Sequence, residues 1–177
     1  MITTNFKQAM KMILTNYNSR NEGGIEVKNT SGSTKYLMVF DGWPSSSSVS
    51  KGVVINSNNS PGIWVGSGST PESESSYTLD SRITSGLTAN NPTFGSGVDE
   101  SGNPQMKLVI MLTNTSSSSI TVAEIGFFQQ IRLANSASGS SGTLETIMLD
   151  RTLLDTPVTI PAGESAAITY TLKTVIS

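Results

Sequence analysis

Residues 106–128 read MKLVIMLTNTSSSSITVAEIGFF, and this stretch decides the fold class. Two short apolar segments, Met106–Asn114 and Ile120–Phe128, are separated by polar residues that include a run of serines. Short segments rich in β-branched and aromatic residues, bounded by turn residues, are typical of β-strands. In Met106–Asn114 both sets of alternating positions, which face opposite sides of a strand, are largely apolar. This segment therefore predicts a central strand covered on both sides. The N-terminal helix or a neighbouring subunit would provide one of these covers.

The same pattern recurs along the rest of the chain. In the last of these segments Ile168, Tyr170 and Leu172 alternate with polar residues, which predicts one buried and one solvated face. Many short strands separated by turn signals favour a mainly β fold, a β-sandwich or jelly-roll-like domain. The candidate strands are Ile25–Asn29, Lys35–Phe40, Gly52–Asn56, Gly62–Val65, Met106–Asn114, Ile120–Phe128, Thr146–Arg151, Pro157–Ile160 and Ala166–Val175.

An amphipathic α-helix is predicted over residues 3–18. Its apolar stripe recurs at helical spacing and consists of Phe6, Met10, Ile13, Leu14 and Tyr17. Thr3, Thr4 or Asn5 can cap its start, and Asn5 with Gln8 has the spacing of a capping-box variant. Two roles stay open for this helix, which either docks on a partner or packs on its own sheet.

The domain organisation follows from these elements. We expect an N-terminal helix within residues 1–22 and a single β-sandwich domain over residues 23–177, with long loops near 67–91 and 129–144. Within the first of these loops a short ordered piece is expected around Tyr77–Ile83. The remaining predicted loops are Pro44–Ser50, Gly95–Pro104 and Asn135–Thr143.

Composition narrows the classes of function. The chain has 177 residues, no His, no Cys, and only 14% charged residues, with a net charge of −2. The absence of His and Cys removes thiol chemistry, the usual zinc ligands and the commonest general base. Lys and Arg are scattered rather than clustered, so nucleic-acid binding is not indicated. No apolar run reaches the length of a membrane span, and no secretory signal is recognisable. We therefore expect no enzyme activity and no cofactor or metal.

Three glycine-containing stretches have features of ligand sites or turns. The run Gly66–Thr70 (GSGST) is followed by Pro71 and contains no Lys, so it favours a turn leaving a strand over a phosphate-binding loop. Asp99–Asn103 (DESGN) carries oxygen ligands, but its spacing is not that of a calcium loop, and a hairpin turn is the better interpretation. Phe40–Pro44 (FDGWP) is interpreted as a turn in the same way, with Trp43 either packed or facing a partner.

Six acidic residues are candidates for a catalytic pair of the glycosidase kind: Glu72, Glu74, Asp80, Glu124, Asp150 and Asp155. Glu124 lies inside a strand, between apolar neighbours, where a charge is costly unless it is neutralised. Arg132 or Arg151 can supply the opposite charge. A structural ion pair is therefore the preferred interpretation over catalysis.

Some aromatic residues and Asn-X-Ser/Thr motifs have the residue types of sugar-binding or glycosylation sites. Four aromatic side chains are candidates for a sugar-stacking platform, although core packing is preferred for the second of them: Trp43, Trp64, Tyr36 and Tyr77. The glycosylation pattern occurs at Asn29, Asn58 and Asn114 and is interpreted as coincidental in a chain so rich in Asn, Ser and Thr.

Two stretches carry a resemblance to a known class of proteins. Residues 63–71 (IWVGSGSTP), followed by SYTL at 76–79 and by Ile83, resemble a pattern of tailed-bacteriophage virion proteins. The second stretch is similar to phage tail, collar and head-decoration subunits in the order of its segments, which are 108–114, 120–128, 148–151, 154–160, 163–165 and 168–172. Together they cover roughly residues 63–175, and residues 129–144 depart from the pattern.

The resemblance implies a structural subunit without catalytic residues, present in many copies in the virion. Its implied partners are other virion proteins and copies of itself, and no nucleic acid or membrane. Within it, Gly66 and Gly68 are expected to let the chain leave a strand sharply, and Glu124 and Arg151 to pair across adjacent strands. The alternative function is a carbohydrate- or receptor-binding β-sandwich, for which a host-surface glycan is the expected ligand. A carboxylate-dependent glycosidase is the third hypothesis.

Overall fold

The computed structural model describes residues 1–15, 24–37, 61–90, 93–137 and 142–173. Over these ranges the chain is mainly β, with a short N-terminal helix, as the sequence predicts. The elements are α1 Thr4–Thr15, β1 Glu26–Lys28, β2 Thr34–Leu37, β3 Gly62–Gly66, β4 Leu87–Ala89, β5 Thr93–Val98, β6 Pro104–Asn114, β7 Ile120–Ala134, β8 Thr143–Ile160 and β9 Ser165–Lys173.

The strands form two antiparallel sheets that share one plan. In sheet 1, the long β7 pairs with β8 on one side, and on the other side with β3 near one end and β2 near the other. β1 extends this sheet by pairing with β2. In sheet 2, β6 pairs with β9 on one side, and with β5 and β4 on the other. Each sheet is therefore organised around one long central strand.

The main hydrophobic core is built from both sheets. Its buried members are Ile63, Val65, Val122, Ile125 and Ile160 of sheet 1 and Leu87, Ile110, Leu112, Ile168 and Tyr170 of sheet 2. The predicted buried face of the last strand is confirmed by Ile168 and Tyr170. A second cluster lies where β1 and β2 meet β7 and β8. A third cluster, with Trp64 and Phe128 at its centre, lies on the opposite face of sheet 1. Sheet 1 is therefore buried on both faces around β3.

Asn114 fastens the turns where the chain crosses between the sheets. Its side chain is fully buried, and its Nδ2 donates to the carbonyls of Ser118 and Ile160, both at 2.8 Å. Its Oδ1 accepts from the backbone N–H of Ser116 at 2.9 Å, and its own backbone N–H donates to the Glu164 carbonyl. The β6–β7 turn and the β8–β9 turn are thus joined through one residue. Because the Asn114 amide is buried and engaged, the glycosylation motif at this position is structural.

The N-terminal segment packs on the domain's own strands. Thr3 Oγ1 accepts from the Phe6 N–H at 3.4 Å and so caps α1. Asn5 instead binds the backbone of Lys28 on β1. Its Nδ2 donates to the Lys28 carbonyl at 2.7 Å, and its Oδ1 accepts from the Lys28 N–H at 2.8 Å. The capping-box variant of Asn5 with Gln8 was therefore the wrong prediction, because the Asn5 side chain is used by the sheet. Of the two roles left open, the contacts favour packing on the chain's own sheet.

The predicted long loop at 129–144 is mostly strand. β7 continues to Ala134 and β8 begins at Thr143, because Ile131 and Leu133 alternate into the second core cluster. Likewise, Thr146–Arg151 and Pro157–Ile160 are parts of one strand of 18 residues rather than two strands. The register shift between Val122 and Glu124 leaves residues 154–157 of β8 outside regular pairing, and this irregularity accommodates Pro157.

The predicted loop Gly95–Pro104 is strand over half of its length. Its first part belongs to β5, which pairs with β6 from Thr93↔Val109 to Val98↔Pro104. Backbone pairing needs no particular side chain, so the glycine-rich sequence concealed the strand. The connection at 67–91 is irregular for most of its length, as expected, but ends in β4, and Gly66 forms an isolated bridge with Arg82.

The predicted cover on both sides of β6 is not present in the described part of the chain. Val109 and Met111 remain 39% and 41% exposed on the side of β6 away from the core. The helix α1 contacts β1 and β8 of sheet 1 instead.

Several predictions fall outside the described residues. They are the strand Gly52–Asn56, the loop Pro44–Ser50, the turn Phe40–Pro44 with Trp43, the motif at Asn58, and Tyr17 of the helical stripe.

Asn114→Asp is expected to lower the free energy of unfolding by about 2–4 kcal/mol, because a carboxylate would face two carbonyls that now accept from an amide. Urea denaturation followed by circular dichroism measures the change. Asn90→Asp, at an exposed position, is the matched control and should change stability little. Equal stability of the two variants would contradict the fastening role of Asn114.

Candidate functional site

Glu124 on β7 is the centre of the most extensively bonded polar site in the described residues. Its side chain has no solvent exposure. Oε1 accepts from the backbone N–H groups of Gly68 and Ser81, at 3.2 and 2.8 Å. Oε2 accepts from the Asp80 N–H at 3.1 Å and from Arg151 Nε at 2.8 Å. A buried carboxylate is tolerated when its charge and lone pairs are satisfied in this way.

Arg151 on β8 completes the site. It is 3% exposed and forms the buried ion pair with Glu124 that the sequence predicts, while Arg132 binds the Gly142 carbonyl instead. The other guanidinium nitrogens donate to the carbonyls of Thr70, at 3.0 Å, and Pro71, at 3.4 Å. The pair therefore holds both ends of the segment that covers sheet 1, residues 67–83, which we call the covering loop.

Gly66 and Gly68 are required for close approach rather than for a sharp turn. Neither has a positive φ. A Cβ at Gly66 would lie 2.5 Å from Glu124 Oε1, and one at Gly68 would lie 2.4 Å from the Asp80 Cβ. The glycine-rich run does present backbone N–H groups to anions, but these are side-chain carboxylates: Gly68 donates to Glu124 and Thr70 donates to Asp80. The preference against a phosphate-binding loop agrees with this geometry.

Trp64 lies beneath the covering loop and is 1% exposed. Its ring stacks on Phe128, with the ring centroids 3.7 Å apart. The guanidinium carbon of Arg82 lies 3.4 Å from the centroid of the Trp64 ring. Burial lowers the pKa of Arg82 to about 10. The prediction that Trp64 packs in the core is confirmed, and it takes no part in a sugar-stacking platform.

A second polar cluster lies on the opposite face of β8. Tyr170 of β9 donates its hydroxyl to Asp150 Oδ2, and Thr152 Oγ1 donates to the same oxygen at 3.2 Å. The α-amino group of Met1 lies 3.3 Å from Asp150 Oδ1 and 3.3 Å from Glu72 Oε2. Burial, and then the hydrogen bond to Asp150, raise the pKa of Tyr170 well above its usual value. Sequence reasoning missed this pair, although a tyrosine on the predicted buried face signals a polar partner.

The six acidic candidates are therefore distributed over several structural roles. Glu124 binds Arg151, and Glu72 and Asp150 share the α-amino group, with Glu72 Oε1 also accepting from the Leu153 N–H at 2.7 Å. Glu74 forms an exposed pair with Lys7.

The remaining two acidic candidates lie at the surface. Asp80 Oδ2 accepts from the backbone N–H of Thr70. Hydrogen bonds from Thr70 lower the pKa of the Asp80 carboxyl. Asp155 is exposed in the irregular part of β8.

The turn Asp99–Asn103 closes the β5–β6 hairpin, as predicted. Asp99 Oδ1 accepts from the N–H groups of Ser101 and Asn103, both at 2.9 Å, and Gly102 has a φ of 81°. Its oxygens are thus used by the turn. No group of three or more acidic residues suited to a metal ion occurs in the described ranges.

Of the other aromatic candidates, Tyr36 and Tyr77 lie in the described residues, and each contacts partners within the chain. The Tyr36 hydroxyl donates to Glu26 at 3.2 Å, which raises the tyrosine pKa, mainly through the charge of that carboxylate. Tyr77 lies against Gly32 and under Lys28, whose Nζ is 5.6 Å from the ring centroid. Asn29, of the first glycosylation motif, binds Glu145 at 2.6 Å.

Comparison of the chain with protein-family models, with curated proteins and with solved structures finds no match. Among the described residues, no helix has both the length and the apolar character needed to span a bilayer.

Glu124→Gln is expected to lower the free energy of unfolding by about 3–5 kcal/mol, because it leaves the Arg151 charge buried without its partner. Chemical denaturation measures the loss. Glu74→Gln breaks the exposed pair with Lys7 by the same chemical change and should cost less than about 1 kcal/mol. A similar small effect at both positions would show that the buried pair is not essential.

Stability is expected to fall as pH rises above the ordinary tyrosine pKa of 10.0, because the unfolded chain then loses a proton that folded Tyr170 retains. Below that pH Tyr170 is protonated in both the folded and the unfolded chain, so it does not make stability depend on pH. Tyr170→Phe should flatten this part of the stability profile. Thermal unfolding between pH 8 and 11 tests the difference, and identical alkaline slopes in wild type and Tyr170→Phe would refute it.

Proposed function

We propose that this chain is a non-enzymatic structural subunit of a bacteriophage virion, a capsid decoration, head fibre, collar or tail component. In this proposal its partners are other virion proteins and copies of itself, and its site of action is the virion, after assembly in the bacterial cytoplasm. We also propose that the two sheets pack as a β-sandwich or jelly-roll-like domain. The shared hydrophobic cluster between sheet 1 and sheet 2 supports this arrangement.

The observation that carries the proposal is the convergence of the segments that resemble phage virion proteins. The first of these segments, 63–71, contributes Gly68 and Thr70 to the buried site. The segment 120–128 contributes Glu124, and 148–151 contributes Arg151. Segments far apart in the sequence therefore bind one another at a single site. This convergence supports the proposal, because the resembling segments are the ones that meet at the buried site.

The character of the acidic residues supports a structural role over hydrolysis. All four hydrogen bonds to Glu124 come from the protein itself, and its carboxylate is fully buried. A general acid or nucleophile must reach a substrate, and this group is enclosed. Asp150 is likewise bound to Tyr170 and Thr152.

The surface composition supports assembly. Only 14% of the residues are charged, so few charges lose their hydration when partners meet. The central strand of sheet 2 exposes Val109 and Met111 on the side away from the core. Apolar side chains at the centre of a sheet face are suited to protein contacts.

An open groove beside α1 favours the alternative function, glycan or receptor binding. It has a volume of about 210 Å³, and its wall is apolar over most of its area but also presents polar groups of Gln8, Glu26, Lys28, Ser75 and Ser76. Hydroxyl, amide and charged groups of this kind bind sugar hydroxyls. A glycan array probed with wild type and with Gln8→Ala distinguishes this alternative, since sugar binding at the groove would be lost in the variant.

The proposed function is tested by light scattering of the purified protein, alone and mixed with phage particles that lack it. We expect saturable incorporation at a copy number that matches a symmetric ring or lattice. A protein that does not bind the particles at any concentration would refute the virion proposal. Binding of glycans by such a protein would then establish the alternative.

A further inference from the structure

Two glycines of β5 have no explanation among the described residues. Gly95 and Gly97 have no positive φ, and a Cβ built on either meets nothing within 4 Å. This contrasts with Gly66 and Gly68, where a Cβ would collide with the buried site. Glycine weakens a strand, and in a strand it often marks a place where another backbone or a ligand approaches closely. The space over Gly95 and Gly97 is therefore suited to a partner from outside.

The register of sheet 2 places these glycines beside its exposed apolar residues. On β6, the partner of Gly95 is Lys107 and the partner of Gly97 is Gln105. Side chains alternate along a strand, so both glycines share the face of Lys107, Val109 and Met111, opposite the core. On the other flank of β6, Met111 pairs with Ala167 of β9. We call this surface the open face, and it consists of Thr93, Gly95, Gly97, Gln105, Lys107, Val109, Met111, Ala167, Thr169 and Thr171.

The open face combines two projecting apolar side chains with small neighbours. Val109 and Met111 project from the central strand and are 39% and 41% exposed. Thr93 and Thr169 flank Val109, Ala167 lies beside Met111, and the glycines of β5 lie further along the same face. A surface with both features can meet a second copy of itself, as a two-fold interface requires.

The charges at the two ends of the open face also complement each other. Lys107 is exposed at one end, and Glu164, in the β8–β9 turn next to the Thr113↔Ser165 pair, is exposed at the other. Six residues of strand separate Lys107 from Thr113, a distance of roughly 20 Å. When two copies stack with their central strands antiparallel, Lys107 of one copy meets the end of the other that carries Glu164. Stacking in the parallel sense would instead bring the two lysines together.

We propose that the open face of sheet 2 binds a second copy of this chain, face to face, with antiparallel central strands and with Lys107 of each copy near Glu164 of the other. The proposal rests on the self-assembly included in the proposed function and names the surface that performs it. Val109 and Met111 supply the apolar centre, and the glycines of β5 allow the two sheets to approach.

Met111→Lys tests the surface, because it places two like charges at the centre of the interface. We expect self-association, measured by sedimentation equilibrium over a range of concentrations, to weaken at least tenfold. Leu144→Lys is the matched control, since Leu144 is also an exposed strand residue, at 42%, but belongs to sheet 1. Equal association of the two variants would overturn the proposal, as would a wild type that is monomeric at every concentration.

Two further variants separate association from folding. Gly95→Ala fills open space on a strand with an ordinary φ, so we expect an equal or higher melting temperature together with weaker association. Lys107→Glu and Glu164→Lys should each weaken association, and the double reversal should restore it. A double variant as weak as the single ones would contradict the antiparallel arrangement.

Failure of this inference can be distinguished from failure of the proposed function. Incorporation of Met111→Lys into phage particles at the wild-type level would overturn the interface and leave the virion proposal intact. Dimerisation through the open face by a protein that does not bind the particles would support the interface and refute the virion proposal.

Discussion

A charge with no access to water has to obtain its counter-charge and its hydrogen bonds from the protein, and in this chain Glu124 does so from three separate parts of the sequence. Arg151 supplies the positive charge, and the backbone N–H groups of Gly68, Asp80 and Ser81 supply the rest. Removing any one donor leaves a buried carboxylate short of a bond, which costs more than the bond itself contributes. The positions of β7, β8 and the covering loop are therefore interdependent, and Trp64 is buried as a consequence.

The turns between the two sheets are organised by a neutral buried group in the same manner. Asn114 joins two turns through an amide whose donors and acceptor are all used. A low-charge chain can specify its geometry in this way, because a buried polar group has few arrangements that satisfy it. The apolar cluster shared by the sheets supplies the driving force but little positional specificity. The hydrogen bonds of Glu124 and Asn114 therefore determine which strands and turns are placed together.

The sequence predicts those parts of the fold that depend on local patterns. Ile168 and Tyr170 alternate into the core as expected, and Glu124 inside an apolar strand indicates its ion pair with Arg151. The sequence does not reveal pairing that is carried by the backbone alone, and so the glycine-rich β5 is not recognised. It also does not reveal why Gly66 must be glycine, since the reason is a carboxylate 58 positions later in the chain that comes close only after folding.

The same site constrains the order in which the chain acquires structure. Glu124 and Arg151 are 27 residues apart on one hairpin, whereas Gly68 is 56 residues from Glu124, and Thr70 is 81 residues from Arg151. Closing the longer loops costs more conformational entropy, and the groups that would reward closure exist only once the hairpin is formed. The covering loop is therefore a late element in folding. It is also unsuited to act as a lid, because lifting it would remove three of the four donors that stabilise a buried charge, so loop and hairpin lose their structure as one cooperative unit.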